Sequence, residues 1–252
     1  MASTNELIGK VAIVTGAGRN IGRAIALALA EGGASIVVNA RSNRAEADAV
    51  AREIEAAGGK ALVNIGDVAD AAAMQAMADA AVKHFGRIDI LVNNAALRRE
   101  KSFTEMSYAE WREILDVTLD GTFHCTKACL PGLRKSGAGT IVNIGGLSAH
   151  TGARNRAHVV TAKAGIVGFT RALAHDLAAD GITVNCVVPG LIGTPRPHDK
   201  PEPAHHLTHQ TITGERGRPE DVAAAVRFLC GPGARYINGQ AIHANGGAHL
   251  GS

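Results

Sequence analysis

Apolar residues recur along this chain in short runs, each followed by a longer stretch of different period. The runs fall at residues 11–15, 35–39, 61–65, 88–93, 140–144, 183–188 and 240–243. They are nearly continuous rather than alternating with polar residues, which suits strands buried on both faces of a parallel sheet. Ala-rich stretches at 21–31, 44–57, 69–84 and 157–179 lie between most of them. Their apolar positions stand three and four apart, the helical period. Strand–helix alternation over the whole length predicts one α/β domain spanning residues 1–252. Its sheet is doubly wound and parallel, with about seven strands and right-handed crossovers. No repeat of fixed period interrupts it.

Composition removes several function classes. A chain of 252 residues, 46% hydrophobic and 19% charged, can bury one large core and is not disordered. A net charge of +3 and 3% aromatics argue against a nucleic-acid partner. The N-terminal MASTNELIGK lacks a basic stretch followed by an apolar one, and no apolar run reaches the length of a membrane span. The expectation is a cytoplasmic protein with no membrane partner. Cys125, Cys129, Cys186 and Cys230 form no C-x-x-C pair and read as free thiols in a reducing compartment.

One segment departs from the pattern. Residues 189–214 contain Pro189, Pro195, Pro197, Pro201 and Pro203, with His198, His205, His206 and His209. A long connection after a strand, where open α/β sheets bind ligands, reads as a substrate lid. No carboxylate or cysteine pattern accompanies the histidines, so no metal is expected.

The first strand runs into a glycine turn. Gly16, Gly18 and Gly22 permit close backbone approach to a pyrophosphate, and the helix from near Asn20 presents its free N–H groups to the phosphates. This context makes the domain a Rossmann-type, dinucleotide-binding one. The second strand ends Val38-Asn39-Ala40-Arg41-Ser42, without the carboxylate that would hold ribose hydroxyls. Arg41 and Arg19 suit a ribose 2′-phosphate instead, which favours NADP(H) over NAD(H).

Five segments together resemble the short-chain dehydrogenase/reductase family: Thr15-Gly16-Ala17-Gly18-Arg19-Asn20-Ile21-Gly22, Gly66-Asp67-Val68, Asn93-Asn94-Ala95-Ala96, Pro189-Gly190-Leu191-Ile192-Gly193-Thr194 and Tyr236-Ile237-Asn238-Gly239-Gln240. Asn20 stands where glycine is usual. The resemblance implies that Asp67 and Val68 flank the adenine, with Ser42 beside Arg41 at the 2′-phosphate. It implies that Asn93, Ala95 and Ile144 line the cofactor ribose. Lys163 would bond the nicotinamide ribose, and Pro189, Gly190, Ile192 and Thr194 would hold the carboxamide side. It further implies a homotetramer or homodimer built on the helices at 111–130 and 157–179.

The same resemblance makes the catalytic positions unusual. The family runs its proton relay through Asn, Ser, Tyr and Lys. Here those positions read Thr118, Gly146, Val159 and Lys163. Catalytic candidates are Lys163, Ser148 and Thr118, with His150, His158 or Thr161 as further donors. The stretch from His158 to Lys163 resembles that of 2,4-dienoyl-CoA reductases, relatives that lack the tyrosine. Three readings stay open: an oxidoreductase with a substituted proton donor, a redox-neutral enzyme, and an NADP(H)-binding scaffold or sensor. Arg98, Arg154 and His150 border the expected pocket, where Arg99 and Arg156 add charge. They suit a small, anionic carbonyl, alcohol or conjugated enone/enoyl substrate.

Overall fold

The computed structural model describes residues 5–194 and 210–251. The residues of the expected lid between 195 and 209, with four of its five prolines and all four of its histidines, lie outside them. Seven parallel strands form one sheet in the order β3-β2-β1-β4-β5-β6-β7. They are β1 Val11–Val14, β2 Ser35–Ala40, β3 Ala61–Ile65, β4 Ile90–Asn93, β5 Thr140–Ile144, β6 Thr183–Pro189 and β7 Ala241–Ala244.

Alternation within each strand feeds two separate cores. Ala12 and Val14 of β1 and Ile36 and Val38 of β2 pack toward α1 (Asn20–Glu31), α2 (Arg44–Ala56) and α8 (Pro219–Cys230). Ile13 and Val37, between them, face the opposite layer with Met74, Met77, Cys125 and Cys129. That layer holds α3 (Ala71–Phe85), α5 (Gly121–Lys135) and α7 (Ala157–Asp176). Strands flanked by helices on both faces need apolar side chains in both directions, which is why their sequence runs are continuous. All four cysteines are free and buried in this interior.

Two helical features depart from the sequence reading. The helix expected over 111–130 is divided into α4 (Tyr108–Leu115) and α5 by a π-helical turn, Asp116–Asp120. Arg112 straddles the widened turn, pairing with Asp116 and donating to Asp120 at 2.7 Å. The helix α8 had not been singled out. Pro219 opens it and Gly231 closes it, the asymmetry that marks helix ends. Among the described residues, no helix is long and apolar enough to cross a membrane.

Candidate active site

Strand order reverses between β1 and β4, and the chain opens a cleft of about 540 Å³ beyond their C-terminal ends. Thr15, at the end of β1, organises its floor. Its hydroxyl accepts from the backbone N–H groups of Asn94 and Ala95, both at 3.0 Å. Asn94 Nδ2 donates in return to the carbonyls of Thr15 (2.9 Å) and Gly16 (3.1 Å). The two strand ends are thereby tied together at the switch point.

The turn itself allows no side chain at Gly22. A Cβ there would lie 2.2 Å from Gly16 O and 2.5 Å from Asn94 Nδ2. Asn20 has φ of 50°, in the left-handed region that glycine enters freely and asparagine tolerates better than most residues. The departure at Asn20 therefore preserves the backbone that the usual glycine provides. At the far end of the cleft, Asn39 accepts from Gly16 N at 3.4 Å and donates to Asn64 Oδ1 and Gly66 O. Arg19 and Arg41, both exposed, stand at the mouth with Ser42 and with the Glu46 carboxylate.

Lys163, which does not line this cleft, is buried on α7. Its Nζ donates to Ile144 O at 2.5 Å. Burial lowers its pKa to about 7, and the charges of Arg98 and Arg156 act in the same direction. Val159, one helical turn earlier, is buried among Ile114, Leu115 and Ala162. A Cβ on Gly146 would meet Lys163 Cγ at 3.6 Å and Cδ at 3.9 Å, so this position looks onto the lysine stem with room for a side chain. Thr118, inside the π turn, keeps a buried hydroxyl oxygen without a hydrogen-bond partner among the described residues. π turns of this kind often mark functional sites. His158 is also buried, with Nδ1 unpartnered, and burial first of all holds its pKa below the usual imidazole range.

Comparison with known proteins decides the family. Residues 16–249 match the family model described as enoyl-(acyl carrier protein) reductase. The chain is 38% identical over 242 residues to the 3-oxoacyl-[acyl-carrier-protein] reductase FabG of Staphylococcus aureus, covering 96% of this chain and 98% of that one. It is 40% identical over 242 residues to the 3-oxoacyl-[acyl-carrier-protein] reductase of Synechocystis sp., covering 96% and 97%. A short chain dehydrogenase from Burkholderia cenocepacia, solved in complex with NADP, superposes with a TM-score of 0.90 at 35% identity, covering 98% of this chain and all of that one. A dehydrogenase/reductase from Sinorhizobium meliloti gives 0.91 at 34%, covering 97% and 96%. This chain is a short-chain dehydrogenase/reductase.

Within this short-chain dehydrogenase/reductase, the expected cofactor residues separate into two groups. Gly16, Gly18, Arg19, Asn20, Ile21, Gly22, Arg41, Ser42, Asp67, Val68, Ala95 and Thr194 line the cleft. Asn93, Ile144, Lys163, Pro189, Gly190 and Ile192 are not among its lining residues. Asn93 Nδ2 instead donates to Asn143 Oδ1 at 2.9 Å and to Thr126 at 3.3 Å, leaving its own Oδ1 buried and unpartnered. Asn39, Glu46, Asn94, Ala96 and Val117 line the cleft without having been singled out. Asn94 and Ala96 stood in a quoted motif, whereas Glu46 carried no sequence signal beyond following the N-cap Asn43.

The substrate candidates also divide. Arg98 lines the cleft, and Arg154 is exposed in the loop before α7. Arg156, two residues on, is buried and acts on Lys163. Ser148 is buried at the start of the short helix α6 (Ser148–Thr151). His150, on the same turn, packs against His243 and His249.

Proposed function

We propose that this short-chain dehydrogenase/reductase is an NADP(H)-dependent reductase whose proton supply runs through Lys163 rather than through a serine and tyrosine. The cofactor is NADP(H): the cleft accommodates a dinucleotide, no carboxylate ends β2, and the Burkholderia neighbour was solved with NADP. Arg19 and Arg41 hold the 2′-phosphate. Glu46 opposes it from the same mouth, and the two guanidinium groups outweigh that single carboxylate. When bound, the nicotinamide supplies or accepts a hydride.

One observation carries the reading. Lys163 is buried on α7 with a pKa of about 7, its stem lies against Gly146, and Val159 stands one turn earlier on the same helix. Neither can donate a proton. A group that titrates near neutrality is suited to general acid–base work, which contributes about 10²–10⁴-fold. The names of the relatives supply the substrate class, a 3-oxo or enoyl group on an acyl chain. The conjugated, enoyl-type substrate is favoured over an isolated ketone, because charge developing on it spreads over several atoms and depends less on a strong donor at one oxygen. Arg98 at the cleft receives an anionic portion of the substrate. The buried free thiols suit a reducing cytoplasm.

A second reading rests on the same pair of residues. With no hydroxyl at 146 or 159, the chain also fits an NADP(H)-binding scaffold or sensor. Turnover of a panel of 3-oxoacyl and enoyl thioesters with NADPH and with NADH separates the two. The enzyme reading expects enoyl turnover that prefers NADPH, a preference erased by Arg41→Ala, and a loss of about 100-fold or more in Lys163→Met. NADPH binding without turnover of any substrate supports the scaffold instead.

A further inference from the structure

Three histidines far apart in sequence converge beyond the C-terminal ends of β5 and β7. His150 lies on α6 just after β5, His243 is the third residue of β7, and His249 follows the turn that leaves β7. We propose that His150, His243 and His249 bind one divalent transition-metal ion of the zinc class through three imidazole nitrogens, leaving a fourth position to solvent or to an exogenous ligand.

One ligand nitrogen from each residue lies within 4.8 Å of the other two. The ring centroids are 4.7, 5.4 and 5.2 Å apart. A tetrahedral site with Zn–N bonds of about 2.0–2.1 Å needs nitrogens about 3.4 Å apart. The widest pair therefore closes by about 1.4 Å, a distance within reach of side-chain rotation. His150 Nε2 is buried and has no hydrogen-bond partner among the described residues. Such an atom is costly to leave unsatisfied, and coordination satisfies it.

The turn that returns His249 to His243 is specifically built. Gly246 and Gly247 have φ of 59° and 77°. A Cβ on Gly246 would meet Thr213 Oγ1 at 2.7 Å, and one on Gly247 would meet Ile212 Cδ1 at 2.8 Å. Buried Asn245 clamps the result. Its Oδ1 accepts from Gly247 N at 2.9 Å, its Nδ2 donates to His249 O at 2.9 Å, and the same Nδ2 lies 3.4 Å from His243 Nδ1. Asn245 is thus a positioning residue that ties the His243 ring to the backbone of His249.

The chemistry of the set selects the ion. Three nitrogens and no carboxylate disfavour magnesium and calcium and suit zinc, cobalt, nickel or copper. The triad shares no residue with the histidines of the 189–214 segment, for which no metal is expected.

The test uses full-length protein free of any histidine tag, stripped with a chelator and desalted, then titrated calorimetrically with Zn²⁺ and spectroscopically with Co²⁺. The expected result is one equivalent per chain with Kd below about 1 μM, and a visible Co²⁺ spectrum of four-coordinate type. His150→Ala, His243→Ala or His249→Ala weakens binding about 100-fold or more. His249→Ala, in the terminal turn, serves where the other two fail to fold. A variant with His198, His205, His206 and His209 all replaced by Asn keeps the site. Absence of stoichiometric binding, binding unchanged in His249→Ala, or binding lost only in the four-histidine variant overturns the proposal. None of these readouts depends on catalytic turnover, so the metal site and the reductase reading stand or fall separately.

Discussion

Lys163 is the residue on which the proposed chemistry rests. Its pKa falls from 10.5 to about 7 on folding, because burial disfavours the ammonium. Below pH 7 both folded and unfolded chains carry the proton, and the folded state bears the full cost of a buried charge. Between pH 7 and 10.5 only the unfolded chain binds it, so stability rises with pH across that window. Lys163→Met should therefore stabilise the protein by a few kcal/mol at pH 6, with the gain fading toward pH 10. Urea unfolding at the two pH values measures this, and a gain independent of pH would refute the lowered pKa. Gly146 gives a second prediction. An added Cβ makes only ordinary contact with the lysine stem, so Gly146→Ser should leave the fold intact. Val159→Tyr must fit a ring into a packed site, at about 1–3 kcal/mol. The double variant should gain ketone reduction with NADPH by 10-fold or more, consistent with general acid catalysis. No gain in a folded double variant would mean that more than a proton donor is missing.

At the scale of elements, what was legible in the sequence was what burial on two faces imposes. Every predicted strand exists, because Ile13 and Val37 face one core while their neighbours face the other. Strand ends were less legible. The fourth strand begins at Ile90, since Asp89 uses its carboxylate to accept from Val11 N and from Arg87. The π turn left no mark in apolar spacing, because it depends on a single extra residue and on Arg112 reaching two aspartates. Much of the lining of the cleft was readable because a glycine turn must be local in sequence. The histidine triad was not, since its members meet only when the C-terminal ends of β5 and β7 lie at the same end of the sheet, two strands apart. The turn after β1 gives a test at this scale. Asn20→Gly should change stability by no more than about 0.5 kcal/mol, whereas Asn20→Ala should cost about 1 kcal/mol, because alanine lacks asparagine's tolerance for φ of 50°. Gly22→Ala, whose Cβ would lie 2.2 Å from Gly16 O, should abolish NADPH binding in a fluorescence titration.

For the whole molecule, the question is which surfaces remain to be covered. Helix α7 buries Val159, Ala162, Lys163, Ile166 and Val167, yet its outer face presents Thr161, Ala164, Gly168 and Ala172 at spacings of three and four. A Cβ on Gly168 would meet nothing within 4 Å. Small side chains on one helix face let a second helix approach closely. Phe123, exposed on α5, and Tyr108, exposed at the start of α4, add apolar area that an isolated protomer leaves in water. These faces belong to the two helical regions that the family resemblance assigns to assembly. They favour a homo-oligomer in which helices of neighbouring protomers pack against one another. The 25.9 kDa chain should accordingly run as a dimer or tetramer in light scattering. Gly168→Arg should shift it toward the protomer mass, because a long charged side chain would then stand where a helix has to close. Phe123→Glu should do the same by placing a carboxylate in an apolar contact. Circular dichroism separates this from misfolding, since both positions are exposed and neither change touches the core. A wild-type chain that is monomeric at micromolar concentration would remove the assembly, and would leave the small-residue face of α7 without a structural role.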